Sequence, residues 1–252
     1  SEMKKTLYIW IAFLMLISCD KDDSDSASEN EHSSFISAVD ISSFPEISNT
    51  NLSFYDSEGN EGDFLALLKA NGVNTVRLRL WNNPSDGHCG FGEVKAFSET
   101  LRNQGFNIWL TLHYSDTWAD PAHQETPSQW EGLDFAVLKD SVYQFTKKVA
   151  TEIPAEYIQI GNEINTGFLH PQGHISSNFE QFRALMDTAI VAVRTHSNDT
   201  KIIIHHAGIE SAEWFYNQVS VLDYDIMGLS YYPIWHGSSL SNLQTSMQDL
   251  SQ

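Results

Sequence analysis

Short apolar runs alternate with longer amphipathic segments from Phe35 to the end of the chain. The apolar runs are rich in β-branched and aromatic residues and predict strands at 35–41, 73–81, 106–114, 157–162, 201–206 and 225–232. The intervening segments have helical period and predict helices near 61–71, 92–104, 134–151, 178–196, 211–219 and 239–250. Gly72 and Gly105 follow two of these segments, as glycine commonly does at helix C-termini. This alternation predicts a parallel sheet with helical crossovers.

Polar and aromatic residues cluster where each predicted strand ends. The clusters are Asp40, 79–82, 113–120, Asn162 with Glu163, His205 with His206, and Tyr231 with Tyr232. In a TIM barrel the C-terminal ends of the strands converge on one mouth, where the active site lies. A doubly wound sheet would also hold six strands, but no Gly-x-Gly-x-x-Gly motif follows the first strand and no P-loop occurs. We therefore predict a (β/α)8 TIM barrel with about six of the eight β/α units in this chain.

Six units leave the predicted barrel open. Without a seventh and an eighth strand, the first and sixth strands would have free edges where pairing should close the cylinder. We therefore expect residues 35–252 to form a partial TIM-barrel catalytic domain that is truncated at its C-terminus.

The N-terminal region predicts export rather than folding. Lys4 and Lys5 precede an apolar run over 7–17, which is too short to span a bilayer and is typical of a secretory signal. The end of the run resembles the lipobox of bacterial lipoproteins, so we expect 1–18 to be a signal peptide and Cys19 to be lipidated. A plain secretory signal with an incidental cysteine is the alternative.

Residues 19–34 are acidic, serine-rich and almost free of apolar groups, and we expect them to form a disordered tether because such a segment cannot bury enough apolar surface to order itself. The 21–23 stretch resembles the export signal of surface-exposed bacterial lipoproteins. We therefore expect an exported outer-membrane lipoprotein held to the membrane by its lipid anchor, with exposure at the cell surface as one of two alternatives for the membrane face. With Cys19 lipidated, Cys89 has no partner for an intrachain disulfide.

The charge balance narrows the choice of ligand. The chain has 14 Lys and Arg against 33 Asp and Glu, a formal charge of −19, and no basic stripe. Affinity for phosphate backbones comes mainly from Lys and Arg, so nucleic acid is excluded as the natural partner and a neutral substrate is favoured.

Glu163 is the predicted general acid/base. An apolar strand runs directly into Asn162-Glu163, so this carboxyl group emerges partly desolvated, which favours its protonated form and suits it to donate a proton. Asn162 can bond a sugar hydroxyl without adding a competing charge. The alternative is a loop glutamate that caps the following helix.

The loop after the third strand has the composition of a carbohydrate site. His113, Trp118 and Asp120 fall within nine residues that also include Asp116, and aromatic faces stack on pyranose rings while carboxylates and imidazoles bind hydroxyls. Alternatively, both aspartates cap turns. No recognised metal-ligand spacing occurs in this loop, so we expect no metal site.

Three further groups complete the predicted site. Arg77 and Arg79 share one face of the second strand, and the apolar residues between them suit the helix-facing side, so we expect both cations in the barrel interior with carboxylate partners. His205 and its neighbour His206 point to opposite faces, and we favour His205 for the mouth. Tyr232 ends the sixth strand and either holds a carboxylate or packs at the rim.

Four segments together resemble the signatures of glycoside hydrolase family 53, the arabinogalactan endo-β-1,4-galactanases. They are Val73–Trp81, His113–Pro121, Ile160–Ile164 and Gly228–Pro233, and the resemblance covers about 35–250. It implies a (β/α)8 barrel and a retaining mechanism with two glutamates, one after strand four and one after strand seven. By position, Glu163 matches the acid/base. Other matches surround the cleaved sugar (Asn162, Arg77, His205 and Tyr232) or line the cleft (Asp40, His113 and Trp118).

The strand that carries the second glutamate in this family has no counterpart in the predicted elements. We therefore expect the nucleophile, and any structural calcium site of the family, to lie beyond this chain, and we expect no cofactor in the chemistry itself. The leading hypothesis is an endo-acting galactanase. Alternatives are a non-catalytic surface protein that binds glycan, or a related barrel hydrolase acting on mannan or cellulose.

These expectations predict how a protein of residues 20–252 behaves. With two open strand edges and no nucleophile, it should be poorly soluble and inactive on galactan. Release of reducing ends from galactan measures this. Clear cleavage by that protein would contradict the expected truncation.

Overall fold

The computed structural model describes residues 35–251, and six of its strands form one parallel sheet in their order along the chain. The strands are β1 Ala38–Asp40, β2 Phe54–Tyr55, β3 Glu61–Gly62, β4 Thr75–Leu80, β5 Asn107–Leu112, β6 Tyr157–Ile160, β7 Lys201–Ala207 and β8 Ile226–Ser230. The sheet order is β1-β4-β5-β6-β7-β8. All six predicted strands are confirmed, and the fold is the partial (β/α)8 barrel that the pattern predicted.

Helices follow the sheet strands and cover one face of the sheet. They are α1 Phe44–Ile47, α2 Phe64–Ala70, α3 Phe91–Asn103, α4 Phe135–Glu152, α5 Ile175–His196, α6 Ala212–Val219, α7 Pro233–His236 and α8 Leu240–Leu250. All six predicted helices are present. Gly72 and Gly105 have φ of +82° and +80° directly after α2 and α3, a conformation that glycine adopts without a Cβ penalty.

The alternation of side chains along the strands separates an apolar face from a polar one. Val76, Leu110 and Ile204 are fully buried and belong to the hydrophobic core between sheet and helices. On the other face, the register aligns Arg79 with Thr111 and Thr111 with Gln159. The apolar face stabilises the sheet by packing against the helices, and the polar face is available for binding and catalysis.

Several short elements were not predicted. The antiparallel pair β2–β3 is closed by a turn in which Asp56 accepts hydrogen bonds from the Glu58 and Asn60 amides. A 3-10 turn spans Ser128–Trp130, and α1 and α7 are single-turn helices. Such pieces are too short to show a hydrophobic period.

Some predictions fall outside this description. The signal peptide 1–18, the lipidated Cys19 and the tether 19–34 all lie outside the described residues. Among the described helices, none combines the length and the apolar character that crossing a bilayer requires. Cys89 is a buried free thiol. Within the described range, β1 pairs only with β4, and β8 only with β7.

Candidate active site

A cavity of about 570 Å³ opens at the C-terminal ends of the sheet strands. Its volume is within the usual range for small-molecule sites. It is lined by Asp40, Arg77, Arg79, Trp109, Trp118, Ala119, Asp120, Asn162, Glu163, His205, Gly228, Leu229, Ser230 and Tyr232. Every predicted site residue except His113 is in this set, so residues up to 192 positions apart in the sequence meet at one mouth.

Arg77 is the central cation of this cavity. Its Nη1 donates to Asp40 Oδ2 at 2.7 Å, and its Nη2 donates to Asn162 Oδ1 at 2.8 Å and to Gln159 Oε1 at 3.3 Å. The guanidinium group also lies 5.7 Å from the centre of the Trp109 ring. One side chain thus joins β1 to the end of β6. The expected carboxylate partner is present for Arg77 but not for Arg79, whose Nη2 donates to Ser43 Oγ and lies 3.7 Å from Cys89 Sγ.

Glu163 lies at the cavity wall on an unusual backbone. It is 9% exposed, and its φ is +50°, in the left-handed region that non-glycine residues seldom adopt. Gly161, two residues earlier, has φ of +75°, and a Cβ there would lie 2.5 Å from Ile164. The Tyr232 hydroxyl donates to Glu163 Oε1 at 3.5 Å, a long hydrogen bond. The helix-cap alternative is wrong, because the next helix starts at Ile175 with His174 as its cap.

Gln124 holds this backbone in place, and sequence reasoning missed it. Its Nε2 donates to the carbonyl oxygens of Asn162 at 2.8 Å, Asp120 at 2.9 Å and Glu163 at 3.3 Å, and the residue is 2% exposed. The loop after β5 is therefore tied to the loop after β6 by one buried amide. Gln124 belongs to no sequence motif. The one signal in the sequence is its position in the same loop as Trp118.

His205 supports Glu163 from β7. The backbone N–H of Glu163 donates to His205 Nδ1 at 3.1 Å, so Nε2 carries the imidazole proton and donates to Ser230 Oγ at 2.8 Å. Burial lowers the His205 pKa to about 3, and the charges of Arg77 and His206 act in the same direction. His205 is therefore neutral at physiological pH. His206 faces the helices and packs against Phe215, as its opposite orientation predicted.

His113 lies behind the cavity wall. Its Nδ1 accepts a hydrogen bond from the Ala119 N–H at 3.0 Å, its Nε2 has no partner among the described residues, and the residue is fully buried. Burial holds its pKa well below the ordinary value, with Arg77 and Arg79 adding to the effect. The structure therefore gives this residue a direct contact with the loop that carries Trp118 rather than with the cavity.

The aromatic wall of the cavity is formed by Trp118. Half of this side chain is exposed, and the Arg79 guanidinium lies 4.1 Å from its ring centre. Of its two acidic neighbours, Asp120 caps a turn, the alternative that the sequence left open, whereas Asp116 bonds the backbone of two other loops. Asp116 accepts from the backbone of Asn83 and Ser128. Asp120, which also borders the cavity, accepts from the amides of Ala122 and His123 and pairs with the His123 ring.

Comparisons with known proteins agree with this geometry. The profile described as "Glycosyl hydrolase family 53" matches residues 36–252. A probable arabinogalactan endo-beta-1,4-galactanase A from Neosartorya fischeri is 35% identical over 230 residues, which cover 84% of this chain and 64% of that protein. The arabinogalactan endo-beta-1,4-galactanase A of Emericella nidulans is 33% identical over 229 residues. The chain thus spans a little under two thirds of the length of these relatives.

Solved structures show the same relationship in three dimensions. The GH53 catalytic domain of Ignisphaera aggregans superimposes with a TM-score of 0.80 at 35% identity, over 85% of this chain and 64% of that one. A fungal beta-1,4-galactanase structure gives a TM-score of 0.79 at 32% identity, over 85% of this chain and 69% of the other.

The buried neutral state of His205 predicts a dependence of stability on pH. Its pKa is about 3 when folded and about 6.5 when unfolded, so the unfolded chain binds a proton first as the pH falls. The stabilisation is present above pH 6.5 and is lost as the pH falls towards 3. The variant His205→Gln should therefore reduce the slope of unfolding free energy against pH in this range by up to about 1.4 kcal/mol per pH unit. Urea unfolding at a series of pH values measures it.

The matched control for this measurement is His196→Gln, which changes a histidine at the end of α5, outside the cavity lining. Its slope should stay close to that of the parent protein. If His205→Gln and the parent have the same slope between pH 3 and 6.5, His205 is not held neutral by the fold.

Proposed function

This chain belongs to glycosyl hydrolase family 53, and we propose that it acts as an endo-acting glycoside hydrolase that cleaves β-1,4-galactosidic bonds in galactan and type I arabinogalactan with retained configuration. The observation that carries the proposal is the position of Glu163, a nearly buried carboxyl group at the end of β6 that borders the cavity beside Asn162 and Tyr232. The substrate class is taken from the galactanases that this chain resembles.

Glu163 supplies the proton in this mechanism. Its carboxyl group protonates the oxygen of the bond to be cleaved, while a second carboxylate about 5–5.5 Å away attacks the anomeric carbon and forms a glycosyl-enzyme. Glu163 then takes a proton from water, and that water releases the sugar. These steps are proton transfers and a displacement between carbon and oxygen, so the proposal includes no cofactor.

The second carboxylate is not among those that border the cavity in the described residues. Asp40 is held by Arg77 and by the backbone and hydroxyl of Ser42, and Asp120 is held by its turn. Neither is free to attack a sugar. The family resemblance implies a glutamate after a seventh strand in this role.

The remaining cavity residues suit a neutral sugar polymer. Trp118 presents a half-exposed aromatic face, and Tyr232, which is 43% exposed, presents a second one on the opposite loop. Asp40 neutralises the Arg77 cation, whereas Arg79 has no carboxylate partner among the described residues and its guanidinium lies 4.1 Å from the Trp118 ring centre. The apolar faces of the sugar rings then contact these aromatic side chains, and the sugar hydroxyl groups bond the amide and carboxylate oxygens of the cavity.

The place of action is also part of this proposal. The predicted signal at 1–18, the lipidated Cys19 and the acidic segment that follows support an exported lipoprotein anchored in the outer membrane. A lipid anchor would keep the enzyme at the membrane, where it meets a polysaccharide too large to enter the cell intact.

Replacement of Glu163 tests the proton donor. In a protein that contains this chain together with the second glutamate implied by the family resemblance, we expect Glu163→Gln to lower kcat on β-1,4-galactan by about 10²- to 10⁴-fold, because an amide cannot act as general acid or base. Binding of galacto-oligosaccharides, measured by calorimetry, should stay nearly unchanged. Glu125→Gln, at an exposed carboxylate of the loop after β5, is the control and should keep its turnover. Unchanged turnover in Glu163→Gln would contradict the assignment.

The choice of sugar has its own test. Calorimetric titration of the full chain with β-1,4-linked galactotetraose, mannotetraose and cellotetraose should show at least about tenfold tighter binding of the galactose oligomer, a difference of about 1.4 kcal/mol. A preference for mannotetraose or cellotetraose would favour the related barrel hydrolases instead. Trp118→Ala should weaken binding of the preferred oligomer.

A further inference from the structure

A second cluster of reactive side chains lies outside the cavity lining. His88 and Cys89 are in the loop between β4 and α3, Glu93 is in the first turn of α3, and Glu46 is in α1. Ligand atoms of His88, Cys89 and Glu93 all lie within 4.8 Å of one another. The proposed mechanism uses none of these groups, and no sequence pattern predicts that they meet, because Glu46 and His88 are 42 positions apart.

The His88 imidazole lies between two sets of ligand atoms. On one side, Glu93 Oε2 is 3.0 Å from Nδ1, close enough for an ion pair although misaligned for a hydrogen bond. On the other side, Cys89 Sγ is 3.4 Å and Glu46 Oε2 is 3.7 Å from Nε2. A carboxylate beside Nδ1 favours a proton on that nitrogen, which leaves the Nε2 lone pair facing the sulfur and the second carboxylate.

This arrangement is common in metal sites, where the histidine ligand has a carboxylate beside its other nitrogen. The two separations from His88 Nε2 also fit a zinc site. A tetrahedral zinc ion with its usual bond lengths places sulfur about 3.6 Å from nitrogen, and nitrogen about 3.4 Å from oxygen. The observed separations are 3.4 and 3.7 Å. A thiol, an imidazole and a carboxylate form a ligand set that favours zinc over calcium or magnesium.

The cysteine is held in position before any ion arrives. Cys89 has φ of +55°, its carbonyl oxygen accepts from the Trp81 N–H at 2.9 Å, and its own N–H donates to Glu93 Oε2 at 2.7 Å. Arg79 Nη2 lies 3.7 Å from Sγ and can donate to it. Burial raises the pKa of the Cys89 thiol, and the Arg79 cation acts in the opposite direction. The Glu46 side chain is 70% exposed and is free to rotate towards the sulfur.

We propose that Glu46, His88 and Cys89 bind one Zn²⁺ ion in a site beside the cavity, with Glu93 orienting the imidazole and water as the fourth ligand. Binding forms a zinc–sulfur bond and releases the thiol proton to solvent. The ion links α1 to the loop before α3. Because Arg79 touches both Cys89 and the Trp118 ring, the site also supports one wall of the cavity.

Cobalt serves as the spectroscopic probe of this site. The full chain with Cys19→Ser has Cys89 as its one remaining cysteine. After removal of metal by a chelator, titration with Co²⁺ should give one equivalent of binding, a thiolate-to-cobalt charge-transfer band and tetrahedral d–d bands, all removed by Zn²⁺. Cys89→Ser should abolish the charge-transfer band.

Two variants separate the ligand from its support. His88→Gln should weaken cobalt binding by at least about tenfold, and Glu93→Gln by about 10- to 100-fold, the usual loss when the group behind a histidine ligand is changed. His196→Gln, remote from the cluster, should bind as the parent does. Circular dichroism confirms that each variant folds. Absence of a charge-transfer band in the parent, or cobalt binding that His88→Gln leaves unchanged, would overturn the proposal.

Discussion

The partly buried charge of Arg77 is the constraint on which the arrangement of the cavity depends. A guanidinium group inside a barrel must have all its strong bonds satisfied by protein, because the desolvation of an unpaired cation is far more costly than any single contact can offset. Asp40 neutralises it, and Asn162 and Gln159 accept two further hydrogen bonds from it. These partners come from β1 and from the end of β6. The hydrogen bonds of Arg77 therefore fix the position of Asn162, and with it the position of Glu163, the next residue.

Much of this could be predicted from sequence because it follows from periodicity. Residues 75–80 alternate, so Arg77 and Arg79 had to share a face once Leu78 was placed in the core. His205 and His206 were separated by the same rule. The convergence of polar groups at one mouth follows from parallel strands that all run in the same direction. In each case the prediction needed only the strand itself and its direction.

What could not be predicted depends on contacts between loops. Gln124 has no periodicity around it, and its function exists only because the loop after β5 lies against the Asn162 and Glu163 carbonyls. The same holds for Glu46 beside His88, which come from separate β/α units. His113 was expected to line the cleft, but it lies behind the cavity wall because the chain up to Ala119 folds over it. Sequence patterns describe single elements, whereas these contacts are made between elements.

At Glu163 the residue type that is best for stability differs from the residue type that the proposed reaction needs, because the backbone there is left-handed. A residue with a Cβ costs about 1–2 kcal/mol in that conformation, and glycine would avoid this cost. Selection for stability alone would therefore favour glycine at this position and remove the proposed proton donor. Engineers who rank substitutions by thermostability would be led to the same choice, so this position has to be exempted before any such ranking is applied.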